Sequence, residues 1–275
     1  MRKNLSISKK NKTLKILCIG LVQFGADNAS AQSATINDFS ISRISNIPHS
    51  QHTINHINSC FSIPKQPHSE AGKRVHTNGW GVISEVYLGP YTFVSFASKF
   101  EQGTSGTCKV LEGNVGVFWG TELRAIIYAK DSSESSISAL ELVEGGFVRA
   151  FSNHFGEEPI FDISLSGSDV ELIEVRKFQT FCAGRALVPN IYGFKSLAAS
   201  QLLQNFDWRP VVGPDDLFGR EMELKASGLN EVQGCSGTGL AHCLLRYQNE
   251  LGYLDVVTIG EFDETIYSYT VTCDH

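Results

Sequence analysis

The sequence predicts an all-β or β-rich (α+β) fold, an antiparallel sandwich or paired barrels, with one short inserted helix and stabilising disulfides. Short segments with a period of two, rich in β-branched and aromatic residues, indicate strands, and YTFVSFASKF at 91–100 is the clearest. Turn-forming residues separate them, and LEGN at 111–114 and SGSD at 166–169 favour hairpins. Six cysteines after residue 59 favour a disulfide framework.

Residues 1–31 have the pattern of a secretory signal peptide. A lysine-rich leader precedes an apolar run at 16–24, and Ala29–Ala31 provides a small-x-small cleavage pattern. The run is shorter than the roughly 20 apolar residues that span a bilayer. We therefore expect a periplasmic or secreted protein that is not inserted in a membrane after signal cleavage.

Cleavage would leave an acidic chain. The full sequence has 23 Lys and Arg against 29 Asp and Glu, and the leader contains six of these bases and one acid. The remainder has 17 bases and 28 acids, a formal charge of −11. Phosphate binding needs clustered Lys and Arg, so this charge argues against a nucleic-acid partner and against an anionic membrane surface.

Behind the leader, the composition separates an arm from a β-rich domain. Residues 32–59 are rich in Ser, Asn, Ile and His without a sustained period, which predicts a flexible N-terminal arm with at most a short strand. Residues 60–275 are numerous enough to bury a substantial core. They form the predicted β-rich domain, for which a division into halves near 60–150 and 151–275 stays open.

Within this domain, further strand segments follow in order: NVGVFWG, LRAIIYA, GGFVRAF, PIFDISL, DVELIEV and LDVVTIG. FKSLAASQLLQNF breaks the pattern, because Phe194, Leu197 and Leu202 recur at helical spacing, and it predicts one helix near 194–206. The last segment, TIYSYTVTC, predicts a strand on which Cys273 points inward, where a partner cysteine can reach it.

The cysteines of the exported chain are the expected disulfide residues: Cys60, Cys108, Cys182, Cys235, Cys243 and Cys273. Export makes three disulfides the simplest expectation. Six cysteines allow fifteen connectivities, and the sequence does not choose among them. No CxxC spacing indicates a zinc site.

The stretch GCSGTGLAHC at 234–243 places a serine and a histidine between two cysteines. It resembles the nucleophile segment of trypsin-like serine proteases, and FCAG at 181–184 and GWGVIS at 79–84 resemble other segments of that family. The resemblance implies a serine hydrolase with Ser236 as nucleophile, His154 as base and Asp162 as the orienting acid.

Other residues depart from that family. It has its catalytic histidine shortly after the segment equivalent to GWGVIS, where this chain has serines. His154 and Asp162 are only eight positions apart, and Cys235 stands where the family has an aspartate. These departures favour a disulfide-anchored turn that enters a strand, with His242 as a partly buried residue hydrogen-bonded to backbone.

A second cluster contains imidazoles. His49, His52 and His56 are three and four residues apart, which would align them on one face of a helix as ligands for Zn²⁺ or Cu²⁺. Their segment has no helical period in its apolar residues, and Pro48 adjoins it. They are weak metal candidates, and a flexible polar arm is the favoured interpretation.

The aromatic residues offer a third type of site. The following could line a sugar or peptide groove or could pack in the core: Trp80, Trp119, Tyr87, Tyr91, Tyr267 and Tyr269. With no coherent triad, metal or cofactor motif, we expect an exported, non-catalytic protein without cofactor that binds a protein or an envelope polymer. A serine hydrolase centred on Ser236 and metal sequestration by the histidine arm are the alternatives.

Overall fold

The structure is a computed structural model, and it describes residues 35–36, 38–51, 60, 63, 65–103, 108–130, 136–152, 158–216, 218–237, 239–260 and 264–274. These belong to one compact unit, Ser33–His275. A separate unit, Met1–Gln32, contains the predicted leader and lies outside the described residues.

Short strands dominate the described part of the chain. In order, the strands are β1 Thr35–Ile36, β2 Phe39–Ser42, β3 Gly81–Leu88, β4 Tyr91–Ala97, β5 Lys99–Gln102, β6 Cys108–Leu111, β7 Asn114–Trp119, β8 Glu122–Ala129, β9 Leu140–Val143, β10 Phe147–Ser152, β11 Glu158–Ser166, β12 Asp169–Ile173, β13 Phe178–Phe181, β14 Ala186–Pro189, β15 Arg209–Pro210, β16 Val232–Cys235, β17 Cys243–Asn249, β18 Gly252–Ile259 and β19 Thr265–Cys273. The helices are α1 Glu70–Thr77, α2 Ser196–Gln204 and α3 Arg220–Ala226. The β-rich prediction is confirmed.

Two antiparallel sheets form a sandwich in the first part of this unit. One has the strand order β1-β2-β8-β7-β4-β3 and the other β12-β11-β10-β9. They share a core in which Phe39 of the larger sheet meets Phe161 of the smaller one edge to face, with ring centroids 4.9 Å apart. Alternating residues of β4 and β8 face this core, as the period of two predicts.

The other face of the six-stranded sheet is covered by α1 and by the residues that follow β2. Val75 of α1, Ile47 and Phe96 are buried together there. Ser69 caps the N-terminus of helix α1, and its side-chain oxygen accepts a hydrogen bond from the Gly72 amide. The predicted arm, residues 32–59, contains the short strands β1 and β2, and β2 pairs with β8 of the sheet. The predicted metal ligands His52 and His56 lie outside the described residues.

A second core begins after β12. It lies among the sheet β15-β17-β18-β19 with β16 beside β17, the hairpin β13–β14, and helices α2 and α3. Trp208 and Tyr247 are its largest fully buried side chains. Helix α2 confirms the helix predicted near 194–206, whereas α1 and α3 were not predicted. Both are short, and α1 buries only the small residues Ala71, Gly72 and Val75.

The predicted turns had different outcomes. SGSD at 166–169 joins β11 to β12, whose residues Ser166 and Asp169 pair, so that hairpin is confirmed. LEGN at 111–114 does not form a hairpin, because β6 pairs with β5 while β7 pairs with β4 and β8. The chain crosses from one sheet to another at this turn.

All six expected cysteines form disulfides, and the fold selects the connectivity. The pairs are Cys60–Cys108, Cys182–Cys273 and Cys235–Cys243. Three disulfides indicate an oxidising environment of the extracellular type. Among the described residues, no helix has the length and hydrophobicity needed to cross a bilayer.

Candidate functional site

A groove of about 540 Å³ opens on the outer face of the six-stranded sheet, and we call it the Trp80 groove. Strands β2, β4, β7 and β8 contribute to it, together with the segment after β2 and the turn before β7. It is lined by Ser42, Ile44, Pro48, His49, Gln51, Trp80, Phe96, Ser98, Glu112, Gly113, Asn114, Ile126, Tyr128 and Ala129. Its volume lies within the range of small-molecule sites.

Aromatic side chains form one part of the lining. Phe96 on β4 and Tyr128 on β8 point to the same face of the sheet because the strands alternate. Trp80, between α1 and β3, meets Phe96 edge to face at 5.1 Å. Its indole Nε1–H donates to the Pro48 carbonyl at 2.7 Å, which fixes the ring. Trp80 and Tyr128 are half-buried, so both retain accessible surface.

Polar groups lie beside the aromatic ones, where the turn before β7 passes Ser98. The Glu112 carboxylate accepts hydrogen bonds from Ser98 Oγ at 3.0 Å and from Lys99 Nζ at 2.6 Å. Asn114 Nδ2 donates to the Glu112 carbonyl at 2.7 Å. These bonds place a carboxylate, an amide and a hydroxyl along one side of the groove.

The backbone of this turn is unusual. Glu112 has a φ of 55°, in the left-handed region that costs a non-glycine residue about 1 kcal/mol or more. Gly113 follows because a Cβ there would lie 1.8 Å from the Ile137 carbonyl oxygen. The Gly113 amide donates a hydrogen bond to Ser136 Oγ at 3.0 Å. The turn is therefore packed closely against the segment that contains Ser136 and Ile137.

The groove carries little net charge. Among the residues that line it, Glu112 has the only carboxylate and none is Lys or Arg. Lys99 forms an ion pair with Glu112, in which the two side chains are 41% and 36% exposed. The pair leaves this side of the groove close to neutral, although the whole chain is acidic.

Two residues of the serine-hydrolase alternative, Asp162 and Ser236, lie in separate parts of the fold. Asp162 on β11 is fully buried, and Arg149 donates to its two oxygens at 2.8 and 3.2 Å. Ser236 is exposed and follows β16 of another sheet. His154 lies outside the described residues, so its part in such a triad stays a prediction.

His242 lies across from Ser236, and the Ser236 amide donates to the His242 carbonyl at 2.7 Å. The imidazole ring is 5.4 Å from the ring of Tyr267. Its Nε2 is buried and makes no hydrogen bond within the part of the chain that the structure describes. Cys235 and Cys243 pair across the same two strands, which closes the predicted disulfide-anchored turn.

The remaining candidates are distributed as follows. His49 is exposed at the rim of the Trp80 groove, and the described residues contain no cluster of three His, Cys, Asp or Glu that could hold a metal. Tyr91 and Tyr269 are buried, whereas Trp119 is exposed and packs on Tyr91 at 4.9 Å. Of the aromatic candidates, Trp80 alone is in the lining of the groove.

A second cavity, of about 820 Å³, lies beside β14 and the β17–β18 turn. Its charged residues are of both signs: Arg185, Arg209, Asp207 and Glu250. Phe206 is the only aromatic residue in its lining. The Trp80 groove combines more aromatic surface with converging polar groups, which is the usual composition of a ligand site.

Comparison with known proteins gives no relative. A scan against protein-family models found no match, and searches of curated proteins and of solved structures found none either. Sequence reasoning identified Trp80 as a groove candidate but missed Ser98, Glu112 and Asn114. The available signal for these residues was the glutamate in the turn LEGN at 111–114, a segment that the sequence analysis interpreted as a hairpin turn.

Proposed function

We propose that this is an exported, non-catalytic binding protein that holds a cell-envelope polymer in the Trp80 groove. One observation carries the proposal: half-buried aromatic rings and several hydrogen-bonding groups line a single concave surface. Aromatic faces bind the apolar surfaces of a ligand, and the polar groups fix its orientation.

The cellular setting supports a ligand outside the cytoplasm. Three disulfides suit an oxidising compartment. The sequence pattern of residues 1–31 adds an export signal, and together these favour the periplasm or the exterior.

The lining of the groove favours binding over hydrolysis. Hydrolysis of a glycosidic bond by paired acids requires two carboxyl groups roughly 5–10 Å apart. The residues that line the groove supply one, on Glu112.

A sedimentation assay tests this function. The full chain is mixed with insoluble peptidoglycan or with chitin, and bound protein is measured in the pellet. We expect binding to at least one polymer, with no release of soluble sugar. We expect Trp80→Ala to reduce binding at least tenfold, while Trp119→Ala, which removes an exposed tryptophan elsewhere, leaves it unchanged.

Several results would contradict the proposal. Wild-type protein that stays in the supernatant with both polymers would remove its basis. If a folded Trp80→Ala variant binds as tightly as the wild type, the binding site is not the Trp80 groove. Release of soluble sugar by the wild-type chain would show that the protein is an enzyme.

A serine hydrolase centred on Ser236 is the alternative proposal. The observation in its favour is that Ser236 is exposed and lies opposite His242, whose Nε2 makes no hydrogen bond within the described chain. A fluorophosphonate probe tests it, because such probes label activated serines covalently. Labelling of the wild type but not of Ser236→Ala would support the alternative, and unlabelled wild type would refute it.

A further inference from the structure

Glu112 occupies a backbone position that favours glycine. Its φ of 55° lies in the left-handed region, where a Cβ crowds the following carbonyl oxygen. Glycine at this position would adopt the same turn without that cost. The backbone conformation therefore does not explain why this residue is a glutamate. The explanation must lie in the contacts of its carboxylate.

The carboxylate is held in place at the side of the groove. Ser98 Oγ and Lys99 Nζ each donate to one of its two oxygens. A carboxylate has about four acceptor positions, so it can accept from several donors at once. The side chain of Glu112 is 36% exposed and lies in the lining of the groove, where a ligand can reach it.

The charge balance specifies the ligand. A cationic ligand would have to compete with Lys99, which already compensates Glu112 at 2.6 Å. An anionic ligand would meet the Glu112 carboxylate and no Lys or Arg in the lining. An uncharged ligand with many hydrogen-bond donors and acceptors neither competes with Lys99 nor is repelled by Glu112. Ser98 and Asn114 add uncharged hydrogen-bonding groups to the lining.

We infer that Glu112 accepts hydrogen bonds from the hydroxyl groups of an uncharged sugar chain whose ring faces pack against Trp80, an inference that rests on the proposed function. Sugar rings present apolar C–H faces together with hydroxyl edges. The Trp80 groove presents the complement of both, an accessible indole and a fixed acceptor. A hydrogen bond to an ionised acceptor is roughly twice as strong as a neutral one.

Binding of three tetrasaccharides to the full chain tests the ligand class, with tryptophan fluorescence or calorimetry as the readout. The N-acetylglucosamine tetramer is uncharged, the glucosamine tetramer is cationic, and the galacturonate tetramer is anionic. We expect the uncharged tetramer to bind at least tenfold more tightly than either charged one. A preference for a charged tetramer would overturn the inference even if the polymer assay succeeds.

Variants of Glu112 test the residue. We expect Glu112→Gly to weaken binding of the uncharged tetramer at least tenfold, while the relief of the left-handed backbone offsets part of the stability lost with the Ser98 and Lys99 bonds. Glu112→Gln keeps the shape and one acceptor but loses the charge, and we expect a loss of about fivefold. Glu122→Gln, at an exposed carboxylate of β8, is the matched control and should bind as the wild type does.

The two proposals fail differently. If the wild type binds neither polymer nor tetramer, the proposed function fails. If it binds the uncharged tetramer and Glu112→Gln binds equally well, the function stands and the role of Glu112 is overturned. If Glu112→Gly lowers the Tm strongly, the Gln variant decides the question, because it preserves the turn.

Discussion

Arg149 is a charged side chain with 1% exposure, buried where β10 meets the hairpin β13–β14. Its guanidinium donates to both oxygens of Asp162 and to Gln179 Oε1 at 2.8 Å. The Arg176 amide also donates to Asp162. The cluster satisfies a buried charge on several sides, and it connects the sandwich to the hairpin that leads into the second core.

Asp162→Asn should therefore destabilise the protein by about 3 kcal/mol or more, because it leaves the Arg149 charge buried without compensation. Urea denaturation monitored by fluorescence measures the loss. Asp169→Asn is the control, since its ion pair with Arg43 is exposed and should contribute nothing measurable. If both variants lose the same stability, the Arg149–Asp162 pair is not the cause.

Two buried tyrosines predict how stability changes in alkali. Burial raises the pKa of Tyr247, and the neighbouring Glu231 carboxylate raises it further. Burial likewise raises the pKa of Tyr269. Both stay protonated in the folded chain where the tyrosines of the unfolded chain ionise, near pH 10. Their stabilising effect is complete below about pH 10 and is lost as the pH rises above it.

We expect the free energy of unfolding to fall above about pH 10 by up to about 1.4 kcal/mol per pH unit for each tyrosine. Urea titrations at a series of alkaline pH values measure this slope. Tyr247→Phe should halve it, because phenylalanine has no proton to lose. A slope that Tyr247→Phe leaves unchanged would assign the alkaline loss to other groups.

At the scale of the element, the start of α1 shows how a helix forms with little apolar surface. Ser69 Oγ accepts from the Gly72 amide at 2.8 Å and donates to the Glu85 carboxylate at 2.5 Å. That carboxylate also accepts from the His68 and Ser69 amides. Glu85 on β3 thus joins the helix to the sheet and places an anion at the positive end of the helix dipole.

Ser69→Ala should cost about 1 kcal/mol, within the range for loss of a helix cap. Thermal denaturation measures the change, and Ser69→Thr, which keeps the hydroxyl, is the matched control. Because Trp80 follows α1 closely, Ser69→Ala should also weaken polymer binding at temperatures near the Tm. An alanine variant as stable as the threonine variant would show that Glu85 alone fixes the helix.

The elements differ in how far their sequences predict them. Helix α2 was predictable because leucine and alanine recur at helical spacing in 194–206. Helix α1 was not, because its buried residues are small and its stability comes from Glu85, a residue of β3. LEGN at 111–114 has the composition of a hairpin turn, yet its strands join different sheets. Turn composition predicts a reversal of the chain but not the partner of the next strand.

At the scale of the whole molecule, the disulfides differ in what they close. Cys182–Cys273 spans 91 residues and Cys235–Cys243 spans 8. On a loop-entropy account, replacing the long pair by serines should cost about 4.5 kcal/mol and the short pair about 2.5 kcal/mol. Urea denaturation of the two double-serine variants measures both losses. A larger loss for the short pair would show that native contacts, and not loop length, dominate.

The sequence predicted the β-rich class, the six disulfide residues and one of the three described helices, because local patterns encode them. It did not predict the pairing, since fifteen connectivities are equally compatible with the spacing. It also missed most of the Trp80 groove. Ser98, Glu112 and Asn114 become neighbours of Trp80 only when β4 and β7 lie side by side in the sheet.

The connectivity also sets a problem for the order of oxidation. Cys60–Cys108 joins two cysteines that are consecutive in the sequence, so no wrong partner lies between them. Cys235–Cys243 is nested inside Cys182–Cys273. An oxidant that joins cysteines as they emerge would link Cys182 to Cys235, and this incorrect bond must be exchanged before the last strand can be secured.

We therefore expect efficient recovery of the reduced chain to require a disulfide isomerase. Refolding yields with and without the isomerase measure this dependence. The double variant Cys235→Ser, Cys243→Ser, in which no wrong partner lies between Cys182 and Cys273, should recover without it. Equal yields for the wild type in both conditions would show that folding outpaces oxidation. In the cell, the same nesting would make the C-terminal half dependent on catalysts of disulfide exchange in an oxidising environment.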